Sequence, residues 1–284
     1  MSISLKVELS NQGPRYTKYL QPLACLNSLK IPENEALIES VEPTHGDTYQ
    51  WIFQDTVGFE DWLRGRIQRP FYWIRGKLAS GKSTAMKMAL QHSRTSLLLH
   101  EYSDEPWIFA GFFFHDRGND RQKSVTGLLQ EILHQILCER KSFIRGLLHH
   151  YPKRFNFSGP SLQIEWTLSD VKAALELLVT KNSFNLCLFI DALDKHAGNY
   201  HDLLSILKVF ENHDEVGNFR LRACLASRLA NIFQQHLRQC LGFSIQDHTV
   251  PDIKGISTSP AGLGVIYGLF FTPLAPELKQ LRAP

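Results

Sequence analysis

The chain has 284 residues, is 43% hydrophobic and 21% charged, and carries a formal net charge of +3. It is long enough to bury a sizeable core in one large domain or two small ones, and so small a net charge argues against a nucleic-acid or anionic-membrane partner. Its five cysteines (Cys25, Cys138, Cys187, Cys224, Cys240) are odd in number and form no C-x-x-C pair, which argues against a disulfide framework or zinc site and for a reducing, cytoplasmic setting.

Residues 1–47 show no secretory pattern and are interrupted by Pro14, Pro22, Pro32 and Pro43, so they read as a lead-in or linker. Trp51 and Phe53 read as core aromatics. Phe59, Trp62 and Leu63 have the i, i+3, i+4 spacing of a short amphipathic helix. Phe71 to Ile74 is a short apolar strand, and Thr84 to Leu90 a helix with Ala85, Met86, Ala89 and Leu90 on one stripe.

Between that strand and helix lies Gly76-Lys77-Leu78-Ala79-Ser80-Gly81-Lys82-Ser83, which fits the phosphate-binding pattern G-x-x-x-x-G-K-[ST]. The chemistry needs this order of elements. Unpaired N–H groups and the dipole of a helix N-terminus attract an anion. Gly76 and Gly81 let the backbone curl around it without a Cβ in the way. Lys82 reaches the β- and γ-phosphates, and the Ser83 hydroxyl is a ligand for Mg²⁺. The candidate nucleotide cradle therefore runs from Gly76 to Thr84.

Trp107 to Phe114 is an aromatic run of strand length, continuous enough for burial on both faces. Val125 to Leu137 carries an apolar stripe of helical period. Arg140, Lys141, Arg145, Lys153 and Arg154 read as a solvated face, and His115, His149 and His150 lack metal-ligand spacing. Thr167-Leu168-Ser169-Asp170 fits a capping box opening a helix. Leu186 to Ile190 is a buried strand ending at Asp191, and Leu203 to Phe210 marks a helix. Leu221 to Ala226 is a strand closing with Ser227-Arg228, and a last short strand spans Leu241 to Ile245. Residues 255–276 lack charge but are broken by glycine and proline, too often for a spanning helix of about twenty residues. Alternating strands and helices point to an α/β chain with a parallel sheet covered on both faces.

Ligands bind outside the carboxyl ends of such a sheet. Asp191, at the end of its buried strand, is the candidate acid for Mg²⁺; alone, it could equally cap a turn. Asp194 is placed to orient or polarise an attacking water. Arg228, ending the next strand, has the charge to contact a γ-phosphate, with a plain surface arginine as the alternative.

From about residue 21 to 253 this order of motifs resembles the NACHT-type P-loop NTPase module of fungal NOD-like (STAND) proteins, the type often labelled nephrocystin-3-like. The lead-in from Glu42 to Phe53, the helix at Gly58 to Leu63, and the loop from Phe71 to Thr84 are similar to that module. So are Phe112-Phe113-Phe114 with Gln122-Lys123-Ser124 and Gly127-Leu128-Leu129, the acidic run Ile190-Asp191-Ala192-Leu193-Asp194, and Ala226-Ser227-Arg228. Gln246-Asp247-His248-Thr249 and Asp252-Ile253 resemble the start of its helical part.

The resemblance implies a three-layer α/β P-loop NTPase fold of ASCE type, with a five-stranded parallel sheet in the order 5-1-4-3-2. It implies a domain at residues 48–253 flanked by the lead-in and a divergent, poorly ordered tail at 254–284. It implies that Lys82 and Ser83 hold phosphate and Mg²⁺, that Asp191 holds Mg²⁺ through water, that Asp194 serves hydrolysis, and that Arg228 senses the γ-phosphate. The module would bind ATP or ADP and oligomerise with itself or with relatives as a switch. Three departures bear on activity. Lys195 stands where the family has a second acid, so hydrolysis is expected to be slow. Leu78 and Ala79 replace the usual proline and glycine, which suits the loop as long as Ala79 keeps a negative φ. Leu229 replaces a proline after the sensor arginine, and the closing helical and winged-helix parts are not recognisable. A competent NTPase relying on Asp194, and a scaffold that binds no nucleotide, are the alternative readings.

Overall fold

The computed structural model of the chain describes residues 14–44, 48–151, 165–214 and 219–249. The expectations attached to residues 254–284, to Lys153 and Arg154, and to Asp252 and Ile253 lie outside the described residues.

Five strands, β1 (Phe71–Arg75), β2 (Trp107–Phe113), β3 (Phe184–Asp191), β4 (Phe219–Ser227) and β5 (Leu241–Ser244), form one sheet. Every pairing is parallel, in the spatial order β2-β3-β4-β1-β5. Read from the other edge this is the expected 5-1-4-3-2. Helices α1 (Pro14–Leu29), α2 (Pro32–Ser40) and α3 (Phe59–Leu63) precede the first strand. Parallel neighbours need crossovers, and these are supplied by α4 (Lys82–Gln91) and α5 (Ser93–Tyr102) between β1 and β2, α6 (Val125–Glu139), α7 (Ser142–His150) and α8 (Leu168–Lys181) between β2 and β3, α9 (Tyr200–His213) between β3 and β4, and α10 (Asn231–Leu237) between β4 and β5.

The two faces of the sheet carry two cores, because successive side chains of a strand point to opposite sides. Phe71, Trp73, Leu186, Leu188, Ile190, Leu221, Ala223 and Leu225 join the core that includes residues of α6, α8 and α9. Tyr72, Ile74, Cys187, Phe189, Cys224 and Ala226 join the core that includes residues of α3, α4 and α5. All eight residues of β3 are buried, which explains an unbroken apolar run instead of alternation. The capping box that opens α8 is present in both directions between Thr167 and Asp170. Arg222 is fully buried, with no carboxylate paired to it among the described residues: it donates to the carbonyls of Trp62 and Leu221 at 2.9 Å and lies 4.3 Å over the Tyr102 ring.

The lead-in does more than its prolines announce. Pro32 sits in the first turn of α2, where a proline is tolerated, and Pro22 lies inside α1. Cys25, Leu29 and Ile31 are buried in the first core. Glu131 of α6 accepts from the Ile31 N–H at 2.8 Å. Asn34 acts as a partner for the edge strand β2. Its Nδ2 donates to the Gly111 carbonyl at 2.9 Å and its Oδ1 accepts from the Phe113 N–H at 3.0 Å. Gln135 adds a bond from the Gly111 N–H at 2.8 Å. A sheet edge that would otherwise invite pairing is thereby covered. Helices α5, α7 and α10 are likewise absent from the sequence prediction. Their buried stripes are short, with Thr95, Leu98 and Leu99 in α5, Ile144 and Leu147 in α7, and Phe233 and Leu237 in α10.

Candidate functional site

Parallel pairing brings the carboxyl ends of all five strands to one edge, and the candidate residues with them. The Gly76 N–H donates to the Ser227 carbonyl at 3.3 Å, and the Arg75 carbonyl accepts from the Ile245 N–H at 2.9 Å. The loop after β1 is therefore tied on one side to the end of β4 and on the other to the end of β5. Asp191 ends β3, one strand beyond β4.

The loop's two glycines are required sterically. A Cβ on Gly76 would come 2.6 Å from the Ile245 side chain, and a Cβ on Gly81 would come 2.0 Å from the Tyr49 hydroxyl. Gly81 also has φ 85, a conformation that glycine adopts without penalty. Ala79 does not meet the condition under which an alanine suits the loop: its φ is 55, in the left-handed region. An alanine there stores about 1 kcal/mol of strain.

Lys82, the first residue of α4, is 9% exposed. Its Nζ donates to the carbonyls of Gly76 at 3.0 Å and Lys77 at 2.6 Å. The ammonium thus lies inside the loop it was expected to serve. Burial pushes its pKa below the ordinary lysine value, opposed by the charges of Asp191 and Asp194. The next residue, Ser83, donates its hydroxyl to Asp191 Oδ2. Asp191 is 3% exposed, and its other oxygen, Oδ1, is buried with no hydrogen-bond partner. Burial raises the Asp191 pKa, against the Ser83 hydrogen bond and the charge of Lys195.

These details bear on whether Mg²⁺ and a polyphosphate fit. A buried carboxylate with one orphaned oxygen, beside a serine hydroxyl, is a donor set suited to a hard divalent cation. A glycine loop leading into the N-terminus of α4, with the buried Lys82 ammonium inside it and Lys77 exposed on it, suits phosphate oxygens. The residues present fit both groups.

Asp194 and Arg228 come together, but chiefly with each other. The Arg228 N–H donates to Asp194 Oδ1 at 2.8 Å and Arg228 Nε donates to Asp194 Oδ2 at 2.5 Å. The Asp194 side chain is 9% exposed and that of Arg228 is 48% exposed. This bond and the charge of Asp194 raise the Arg228 pKa. Ala192, between the two acids, has φ 55. At the rim, Leu78 is 72% exposed and Leu229 is 51% exposed.

Two residues beside the loop receive no role from the sequence pattern. Tyr49 closes over Gly81 from a left-handed position, φ 67. Gln246 follows β5 and lies against Gly76, where a Cβ would approach its Oε1 to 3.1 Å. Both fall in segments that resemble the family, Tyr49 in the lead-in and Gln246 at the start of the helical part, but the resemblance gives neither a role; their positions, at a turn before β1 and two residues past the end of β5, connect them to the loop. Trp51 and Phe53 are buried, and Trp51 stacks on His248 at 4.7 Å. Among the described residues no helix is long and apolar enough to cross a membrane.

Residues 47–228, well over half of the chain, match the family model described as "Nephrocystin 3, N-terminal". That span runs from the turn holding Tyr49 through Arg228, and so includes the whole loop, Asp191 and Asp194. No curated protein matches the chain.

Proposed function

We propose, given that this chain belongs to the nephrocystin 3 N-terminal family, that it is the ATP- or ADP-binding core, with Mg²⁺, of a NOD-like (STAND) signalling switch. The observation that carries the reading is the cradle between β1 and α4. Two glycines leave no room for a Cβ, one buried ammonium lies within, and the Ser83–Asp191 pair with its orphaned Oδ1 stands alongside. A bound Mg²⁺ would supply charge neutralisation for the β- and γ-phosphates. Ser83 and Asp191 would hold it, and Lys82 would turn from the Gly76 and Lys77 carbonyls toward phosphate oxygens.

Slow hydrolysis is part of the proposal. Asp194 has both oxygens engaged by Arg228 and lacks a second acid, since Lys195 follows it. It is poorly placed to accept a proton from water until Arg228 leaves it. Release of Arg228 toward a terminal phosphate would free Asp194 and would mark the triphosphate state. Assembly with further copies or with relatives, in the cytoplasm, belongs to the same reading.

A scaffold that binds no nucleotide is favoured by one observation, the occupation of the loop by Lys82 itself. Thermal unfolding separates the two. A nucleotide at one hundred times its dissociation constant stabilises by about 2.7 kcal/mol. The switch reading predicts a clear rise in melting temperature with saturating Mg-ATP and Mg-ADP. An unchanged melting curve supports the scaffold.

A further inference from the structure

The side-chain amide of Gln246 is unusual among polar groups near the loop. Its Oε1 accepts from the Ser244 hydroxyl at 2.9 Å. Its Nε2 is buried and has no hydrogen-bond partner. A buried amide donor left unmade is unfavourable by about 1–3 kcal/mol, so its persistence needs a reason. Gln246 is held against Gly76, with the adjacent Ile245 side chain wedged on the same glycine. The Ile245 N–H bond to Arg75 fixes the backbone there.

The sheet order gives the direction. From β3 to β5 the carboxyl edge presents Asp191, then the end of β4 with Arg228, then the loop after β1, then Gln246 after β5. Apart from Lys82 inside the loop, the charged candidates Asp191, Asp194 and Arg228 lie on the β3–β4 side of it. On the β5 side stands the neutral amide of Gln246, followed by the exposed Asp247, and Phe243 and His248 of the same segment pack on Trp51. A nucleotide whose phosphates occupy the loop has its charged end toward Asp191 and Arg228. Its other half must then extend toward β5.

From this we infer that Gln246 binds the nucleoside half of the nucleotide, its Nε2–H donating to a ring nitrogen or ribose oxygen. The inference rests on the nucleotide-binding reading above and adds to it a residue that recognises the nucleoside half of the ligand. Ser244 holds the amide in place by occupying its Oε1. The orphaned Nε2 is the binding group, and a ligand lacking the nucleoside has nothing to offer it.

The test is calorimetric titration of wild type and Gln246→Met with two probes, Mg-ATP and Mg-tripolyphosphate, at fixed ionic strength. Methionine keeps the length of the side chain and removes the donor. The expected result is a five- to tenfold weaker Mg-ATP affinity in Gln246→Met with tripolyphosphate affinity unchanged. Melting of both free proteins checks folding. Gln246→Glu, which retains the acceptor for Ser244, provides a second variant and should also weaken Mg-ATP. Equal affinities of wild type and Gln246→Met for Mg-ATP, or equal losses for both probes, would overturn the assignment of Gln246 while leaving the cradle intact. If neither probe binds wild type, the nucleotide reading fails and this inference with it.

Discussion

The carboxylate of Asp194 receives two hydrogen bonds from Arg228, one from its backbone N–H and one from Nε. The candidate for activating water and the candidate for sensing the γ-phosphate therefore hold each other. The pair is half-exposed on the arginine side, so its contribution is at most about 1 kcal/mol. Asp194→Asn keeps an oxygen for the backbone N–H and gives up the charge. We expect it to raise the affinity for Mg-ATP relative to Mg-ADP by about two- to fivefold, as Arg228 becomes available to the terminal phosphate. An unchanged ATP:ADP ratio in titrations of the variant contradicts the sensing role.

Ala79 supplies a prediction that needs no ligand. With φ 55 and an exposed position, it is strained without compensating packing. Ala79→Gly relieves the left-handed strain and adds some freedom to the unfolded chain, for a net gain of about 0.5–1 kcal/mol. In thermal melts the variant should unfold about 1–4 °C higher. A lower melting temperature would show that the loop does not hold this conformation in solution.

Asp191 is a buried carboxylate with a raised pKa. Its folded pKa lies above its unfolded one, so the folded state keeps the proton to higher pH. In the absence of a cation, stability from this group is therefore lost as pH rises from the ordinary carboxylate value through the raised one. Metal-free wild type should lose melting temperature across that window, and Asp191→Asn should lose less. Addition of Mg²⁺ should raise the melting temperature of wild type at neutral pH and leave Asp191→Asn unmoved. Equal Mg²⁺ responses in the two proteins would remove Asp191 from the cation site.

Asn34 bonds the edge strand β2, three places from β1 in the sheet, and tests that edge. It is 1% exposed and bridges the Gly111 carbonyl and the Phe113 N–H. Asn34→Ala leaves the Phe113 donor buried without its partner, while Gly111 retains Gln135. The expected loss is about 2–3 kcal/mol in denaturant unfolding. A loss below about 0.5 kcal/mol would mean that α2 does not cover β2 in solution.

The contrast between Asn34 and Asp191 explains what could be read from the residues alone. Asp191 follows a continuous apolar strand, and Lys82 and Ser83 sit in a loop of fixed spacing, so local pattern places both. The strand order follows from the resemblance and agrees with the pairing of β1 between β4 and β5. Asn34 is one polar residue in a weakly amphipathic, proline-started helix, and its role exists only once β2 is 77 residues away in sequence and adjacent in space. The same holds for Gln246 and Tyr49, whose places beside the loop come from long-range packing. The φ of Ala79 and the mutual pairing of Asp194 and Arg228 are properties of geometry that no spacing rule encodes.

The most direct measurement is calorimetric titration of Mg-ATP into folded wild type and into Lys82→Ala. Lys82 is the buried cation of the loop, whereas Lys77 is exposed on it, and removal of Lys82 takes the inward charge while leaving the glycines in place. The account predicts saturable binding by wild type in the micromolar range and at least a hundredfold weakening in Lys82→Ala. No heat at high micromolar nucleotide with folded wild type, or equal affinity in the two proteins, would contradict it.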